Sequence, residues 1–222
     1  MINAVLRWFT AAALLLPTGV LGESAVAEGF SRLPAGARVV LMPPDIELFE
    51  ISAGGVLEPR ADWTAVAAMH VAQELGRRLG AIAFVDDGDP DVAELGRLHA
   101  AVSRAVRLHH FGGVTLPGKA GRLDWSLGSQ AALLKEKTGA DYALFAWVRD
   151  SYASDARKAA IMVGVLLAAV MPGGSQQAHA SLVELATGRI VWFNRLARAG
   201  GDLRDAQAAR ESLDALLEGF PR

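Results

Sequence analysis

The sequence predicts an α/β fold: a mixed sheet, with parallel strands joined by helical crossovers plus a C-terminal β-hairpin, packed against helices. Three observations carry this. Short apolar runs at 38–42, 81–85 and 140–148 alternate with stretches of helical period, the pattern of parallel strands buried on both faces. Two strand-like runs, 177–185 and 189–196, flank Ala186-Thr187-Gly188, a hairpin signal. Apolar residues make up 52% of the 222 residues and charged residues 21%, which is a globular composition.

The elements follow in order. Residues 1–27 read as a secretory leader: Arg7, then an apolar run to Leu16, Pro17 and Gly19 as breakers, and Ala25-Val26-Ala27 as a small-residue cleavage site. The body is then one domain, 28–222. Residues 38–42 are β-branched and stop at Pro43-Pro44, so they read as a first strand, with 46–51 continuing as an extended arm. Asp62 caps a helix to Leu79, with Arg77 and Arg78 at its carboxyl end and Gly80 just past it. A buried strand at 81–85 ends at Asp86. Asp89 then caps a helix that carries Pro90 in its first turn and runs to about His110.

After a glycine-rich loop, 112–121, a helix spans 126–138 and closes at Gly139. The strand 140–148 follows, then a polar connection, 149–157. The run 159–171, from Ala159 to Met171, is apolar on every side of a helix, interrupted only by Gly164. It is too short to span a bilayer as a helix, which needs about 20 residues. It suits burial against the sheet, or contact with a membrane or partner. The hairpin and a closing helix from Asp202 or Leu203 complete the chain.

Composition excludes several chemistries. There is no cysteine, hence no disulfide, no thiolate metal site and no lipid attachment through cysteine. With a formal charge of −2, nothing marks a nucleic-acid partner. Residues 113–119 (GVTLPGK) have phosphate-loop spacing, but they follow a helix and precede Ala120 where Ser or Thr is required. The acidic run 86–91 lacks the ligand alternation of a calcium loop. Of the histidines, His99 and His110 share a helix face but stand roughly 16 Å apart. With His70, His109 and His179 they read as helix-end and surface groups. No cofactor or metal is implied. The densest polar cluster is 149–157. There Arg149, Asp150, Tyr152, Asp155 and Arg157 are candidates for an interaction surface, because ligands of open α/β sheets sit at strand carboxyl ends.

Three stretches, 38–60 with "LMPPD", 141–157 beginning "DYALFAWV", and 180–194 "ASLVELATGRIVWFN", resemble small bacterial envelope proteins. These are related to the amino-terminal domain of TolB and to the curli-secretion lipoprotein CsgG. The resemblance implies an α/β sandwich acting in envelope assembly, secretion or scaffolding, and carries over no catalytic residue. The resulting expectation is a periplasmic or secreted protein that is not a lipoprotein. It is non-enzymatic and works through contacts with envelope proteins or a second copy, with membrane contact through 159–171 as one option. An exported hydrolase with an unrecognised site and a small-ligand binding module are the alternatives.

Overall fold

The computed structural model describes residues 21–79, 83–86, 88–166 and 172–222. Its sheet has eight strands: β1 (Leu21–Val26), β2 (Val39–Leu41), β3 (Asp45–Ile51), β4 (Leu57–Pro59), β5 (Ala83–Phe84), β6 (Tyr142–Ala153), β7 (Gly174–Glu184) and β8 (Ile190–Arg198). The helices are α1 (Ala61–Leu79), α2 (Pro90–Val106), α3 (Ala131–Thr138), α4 (Asp155–Leu166) and α5 (Ala206–Leu216). The strand order is β1-β8-β7-β6-β2-β5, with β3 also on β6 and β4 on β3.

The sheet is mixed, as expected. β2 lies parallel to β5 and β6, and β3 parallel to β6, while β6, β7, β8 and β1 are antiparallel neighbours. β2 and β3 run along successive parts of β6: Val39 faces Tyr142, and Asp45 faces Trp147. Pro43-Pro44 lies between them, where a ring without an N–H interrupts the ladder.

Side-chain alternation sorts the core into two layers. Tyr142, Leu144 and Val148 of β6 pack with Ala67, Val71 and Leu75 of α1 and with Leu213 and Leu216 of α5. Ala143 and Phe145 face the other way, onto Leu95 and Val106 of α2 and Leu134 of α3. Helices therefore cover both faces of the sheet.

Local signals act as read at several points. The Asp89 side chain accepts from the Asp91 N–H at 2.9 Å and caps α2. Gly139 closes α3 at φ 66°, and Gly188 turns the β7–β8 hairpin at φ 71°. A Cβ on Gly188 would strike the carbonyl of Gly128, so that turn needs glycine twice over.

Four expectations change. The strand that was to end at Val148 runs to Ala153, because Asp45–Ile51 and Gly174–Gln177 pair with its polar half. The supposed connection 149–157 is thus the end of a strand and the start of α4. α3 begins at Ala131, since Ser126 instead bridges to Arg189 at the foot of the hairpin. β4 is an added strand, held by β3. β1 lies within the stretch read as a leader. Its six residues pair with β8, Glu23 salt-bridges Arg195 at 2.7 Å, and buried Ala27 donates to the Val191 carbonyl at 2.9 Å.

Candidate functional site

The long strand β6 decides where the expected interaction residues go. Asp150 and Tyr152 share one face and turn inward beneath α5, with Asp150 only 1% exposed. Arg149 lies on the opposite face and pairs with Asp45 at 2.8 Å and Glu47 at 3.2 Å. Asp155 stands exposed in the first turn of α4 and pairs with Lys158 at 2.9 Å. Arg157 is buried, its guanidinium reaching the carbonyls of Ala53 at 3.4 Å and Pro172 at 3.5 Å. The structure thus brings Asp150 and Tyr152 together, sets Asp155 and Arg157 in the first turn of α4, and sends Arg149 to the opposite face of the sheet.

Asp150 is the centre of a buried polar network. It accepts from the Tyr152 hydroxyl, from Gln176 Nε2 at 2.6 Å and from the Ser151 N–H at 3.0 Å. Gln176 Oε1 in turn accepts from Arg198 Nε at 2.7 Å, and Arg198 also donates to Ser212 of α5. The Leu203 N–H donates to the Tyr152 hydroxyl at 2.9 Å. Burial pushes the Asp150 carboxyl up to about 6, against the pull of its hydrogen bonds from Tyr152 and Gln176. Burial, with the Asp150 charge, also raises the Tyr152 phenol. The network ties β6, β7 and β8 to the segment leading into α5. Its carboxylate is sealed inside, so it acts as a clamp.

The other face holds a second cluster. His99 Nε2 lies 2.6 Å from Ser181 Oγ and 3.0 Å from Ser103 Oγ, and its ring stacks on Phe145 at 3.9 Å. His179 lies against Trp147 at 5.0 Å and Phe193 at 5.2 Å. Both histidines are buried, which corrects their reading as surface groups; strand and helix pairing, not local sequence, put them there. Burial lowers His99 to about 3 and holds His179 well below its ordinary value, helped by the charges of Arg107 and Arg149. Both imidazoles are therefore neutral. The serine–histidine contact resembles a nucleophile and its base, but Ser103 and Ser181 are both 0% exposed, and a substrate does not reach them.

Elsewhere, an open groove of about 980 Å³ is bordered by Leu33, Arg38, Arg77, Arg78, Phe220 and Arg222. Its cations are already engaged: Arg38 with the Gly139 carbonyl, Arg77 with Glu74, Arg78 with Asp214, and Arg222 with the Arg78 carbonyl. Lys119 of the glycine-rich loop contacts Asp124 and the Trp125 ring. Among the described residues no group of three or more His, Asp or Glu side chains is placed to hold a metal ion.

Four of the exposed apolar side chains, including the most exposed of those described, lie at another place. α4 continues from the carboxyl end of β6 and leaves Met162 70% and Val163 57% exposed. At the same end, the β3–β4 turn shows Val56 at 62% and Leu57 at 54%. Arg157 joins α4 to that turn through the Ala53 carbonyl and packs over Gly55. Among the described side chains of α4, Met162 and Val163 face outward while Arg157 and Gly164 are buried. The rest of the apolar run, 167–171, lies outside the described residues. Among the described residues no helix is long and apolar enough to cross a membrane.

No protein-family model matches the chain, and no curated protein matches it. Among solved structures it is similar to the PelC dodecamer from Paraburkholderia phytofirmans, at 11% identity and a TM-score of 0.45, covering 91% of this chain and 98% of that one. It is also similar to the LpoB C-terminal domain from Salmonella enterica, at 14% identity and a TM-score of 0.30, covering 77% and 86%. A third is the lipoprotein GNA1162 from Neisseria meningitidis, at 13% identity and a TM-score of 0.33, covering 82% and 94%. None of the three is TolB or CsgG. One expectation is corrected by them. The chain was read as a periplasmic or secreted protein that is not a lipoprotein, yet a lipoprotein stands among the structures it resembles. The exclusion of a lipid anchor is withdrawn.

Proposed function

We propose that this chain is an envelope protein without chemistry of its own, and that it works by contacting another protein through the end of the sheet formed by α4 and the β3–β4 turn. The observation that carries this is the exposure of Met162, Val163, Val56 and Leu57 at one end of the sheet. Isolated exposed apolar residues are ordinary, but several gathered on projecting segments mark a contact surface. The end is also well supported. α4 grows directly out of β6, and Arg157 links it to the β3–β4 turn, so the apolar side chains are presented on a braced frame. Asp155 and Lys158 rim the surface with charge. Of the residues first considered for partner contact, Asp155 and Arg157 belong to this end, while Asp150 and Tyr152 hold the interior. The absence of chemistry rests on the sealed positions of Asp150 and of the Ser181–His99 pair.

Site-specific photo-crosslinking tests the reading. A photoreactive residue replaces Met162 in cells, and Glu94 of α2, also exposed, serves as control. The expected result is a discrete protein adduct from position 162, absent from position 94 and lost when Val163→Asp is added. Adducts to lipid alone would overturn the protein-contact reading in favour of a membrane surface.

A further inference from the structure

We propose that Arg107, with Arg104 beside it, forms the cationic side of a binding site for a small anion of the carboxylate or phosphate type, on the sheet face that carries Trp147 and His179. This face is distinct from the contact end, and the inference is independent of that reading.

The first observation is an uncompensated charge. The Arg107 guanidinium lies 4.4 Å from the centre of the Trp147 ring, half-buried, with Nε shielded from solvent and without a hydrogen-bond partner. Arg149 lies 4.8 Å from the same ring but is neutralised by Asp45 and Glu47. Arg60, Arg77, Arg78, Arg195, Arg204 and Arg210 all meet carboxylates as well. Several other arginines also lack an acidic partner, but Arg38, Arg157, Arg189, Arg198 and Arg222 donate to other acceptors, and Arg32, Arg97 and Arg122 are exposed. Among the described residues Arg107 is half-buried with neither, and Arg104 beside it has no acidic partner. They stand three residues apart at the end of α2, so they project from neighbouring positions on one side. The ring face attracts the guanidinium, but its Nε stays buried without an acceptor, which is costly. Burial and the charges of Arg104 and Arg149 accordingly lower the proton affinity of Arg107.

The second observation is independent. His179 is 1% exposed, rests on the same Trp147 ring, and neither of its ring nitrogens has a hydrogen-bond partner. Buried polar groups are nearly always satisfied, and an exception at this depth marks strain or a missing water or ion. The third is the backbone. α2 does not end in an ordinary turn but widens into a π-helix over Arg107–Phe111, a rare geometry that concentrates at functional sites.

The surroundings set the size of the ligand. Asp45 and Glu47 flank Arg149, and Glu23 pairs with Arg195 across the adjoining strands. These carboxylates would repel an extended polyanion such as a nucleic acid, while a compact anion meets Arg107 and Arg104 alone. His99 and His179 are neutral, so they add no charge.

The test is thermal unfolding of the full chain at pH 7 in sodium phosphate and in sodium citrate, each against sodium chloride at matched ionic strength. A ligand that binds only the folded state raises the midpoint saturably. The expected result is such a rise with phosphate or citrate. It should survive in Arg210→Gln and weaken at least about tenfold in apparent affinity in Arg107→Gln, as loss of a charge-assisted hydrogen bond requires. Arg104→Gln provides the second variant should Arg107→Gln fail to fold, since Arg104 is exposed at the end of α2. No saturable rise with either anion, or an equal rise in the variants, would overturn the proposal.

Discussion

Buried titratable side chains on β6, β7 and α2 pull the stability profile in opposite directions. Asp150 holds its proton more tightly in the folded state, at about 6 against an ordinary 3.8. Its contribution to stability is complete below pH 3.8 and is lost as pH rises through 6. His99, lowered from 6.5 to about 3, and His179, also lowered, run the other way: their contribution is complete above pH 6.5 and is lost as pH falls. Each unit of separation is worth about 1.4 kcal/mol, and two histidines outweigh one aspartate, so the protein should melt lower at pH 5 than at pH 7. Asp150→Asn isolates the carboxylate. The amide sets a donor against Ser151 N–H or against Tyr152 and Gln176, a cost that does not vary with pH. On top of it, the variant should gain about 2 kcal/mol relative to the wild type between pH 4.5 and pH 8, as Asp150 becomes a buried charge. Thermal melts at both values check this, and an equal loss at both would show that the shape of the acceptor, not its charge, governs the site. The sequence marked Asp150 and Tyr152 as part of a polar cluster, but not as buried. Their partners Gln176, Arg198 and Leu203 are 26 to 51 residues away, and nothing local announces them.

At the level of elements, legibility followed the reach of the signal. The start of α2, the end of α3 and the β7–β8 hairpin are set by caps and glycines within a few residues and lie where those signals place them. α1 follows its periodicity, but Asp62 sits inside its first turn, paired with Arg60, and Gly80 lies outside the described residues. The polar half of β6 was missed because its residues carry no β signal of their own; β3 and β7 on either side hold it extended. β1 was missed for a different reason. Leu21–Val26 is small and weakly patterned, and its Ala25-Val26-Ala27 end has the composition of a cleavage site, while its role depends on β8 far along the chain. A variant beginning at Glu28 tests how much β1 matters. It would leave the outer edge of β8 bare, including the backbone beside Trp192 and Phe193, both 0% exposed. An open edge next to core aromatics invites strand pairing between molecules. The expected outcome is a lower melting midpoint and concentration-dependent aggregation in light scattering. An unchanged midpoint in a monomeric sample would show that β1 is dispensable.

Across the whole molecule, stability and contact are assigned to different regions. The two side-chain layers meet only through the sheet, and the residues that fill them come from nearly every element. Among the described residues, α4 contributes no side chain to either layer. A fold built this way can change its contact end without changing its core, and two substitutions measure the separation. Leu182 of β7 is 0% exposed and packs in the layer beneath α1 and α5. Leu182→Ala should cost about 2–5 kcal/mol through lost transfer energy and the cavity left behind. Met162→Asp removes a side chain that is 70% exposed and should stay within about 0.5 kcal/mol of the wild type. Denaturant unfolding of both variants reads these values, and crosslinking from position 163 reads the partner contact in the same proteins. If the two functions are separate, Leu182→Ala keeps the adduct while folded, and Met162→Asp loses it with its stability intact. A Met162→Asp variant destabilised as much as Leu182→Ala would place α4 in the packed body, and the contact surface would then have to lie elsewhere on the sheet.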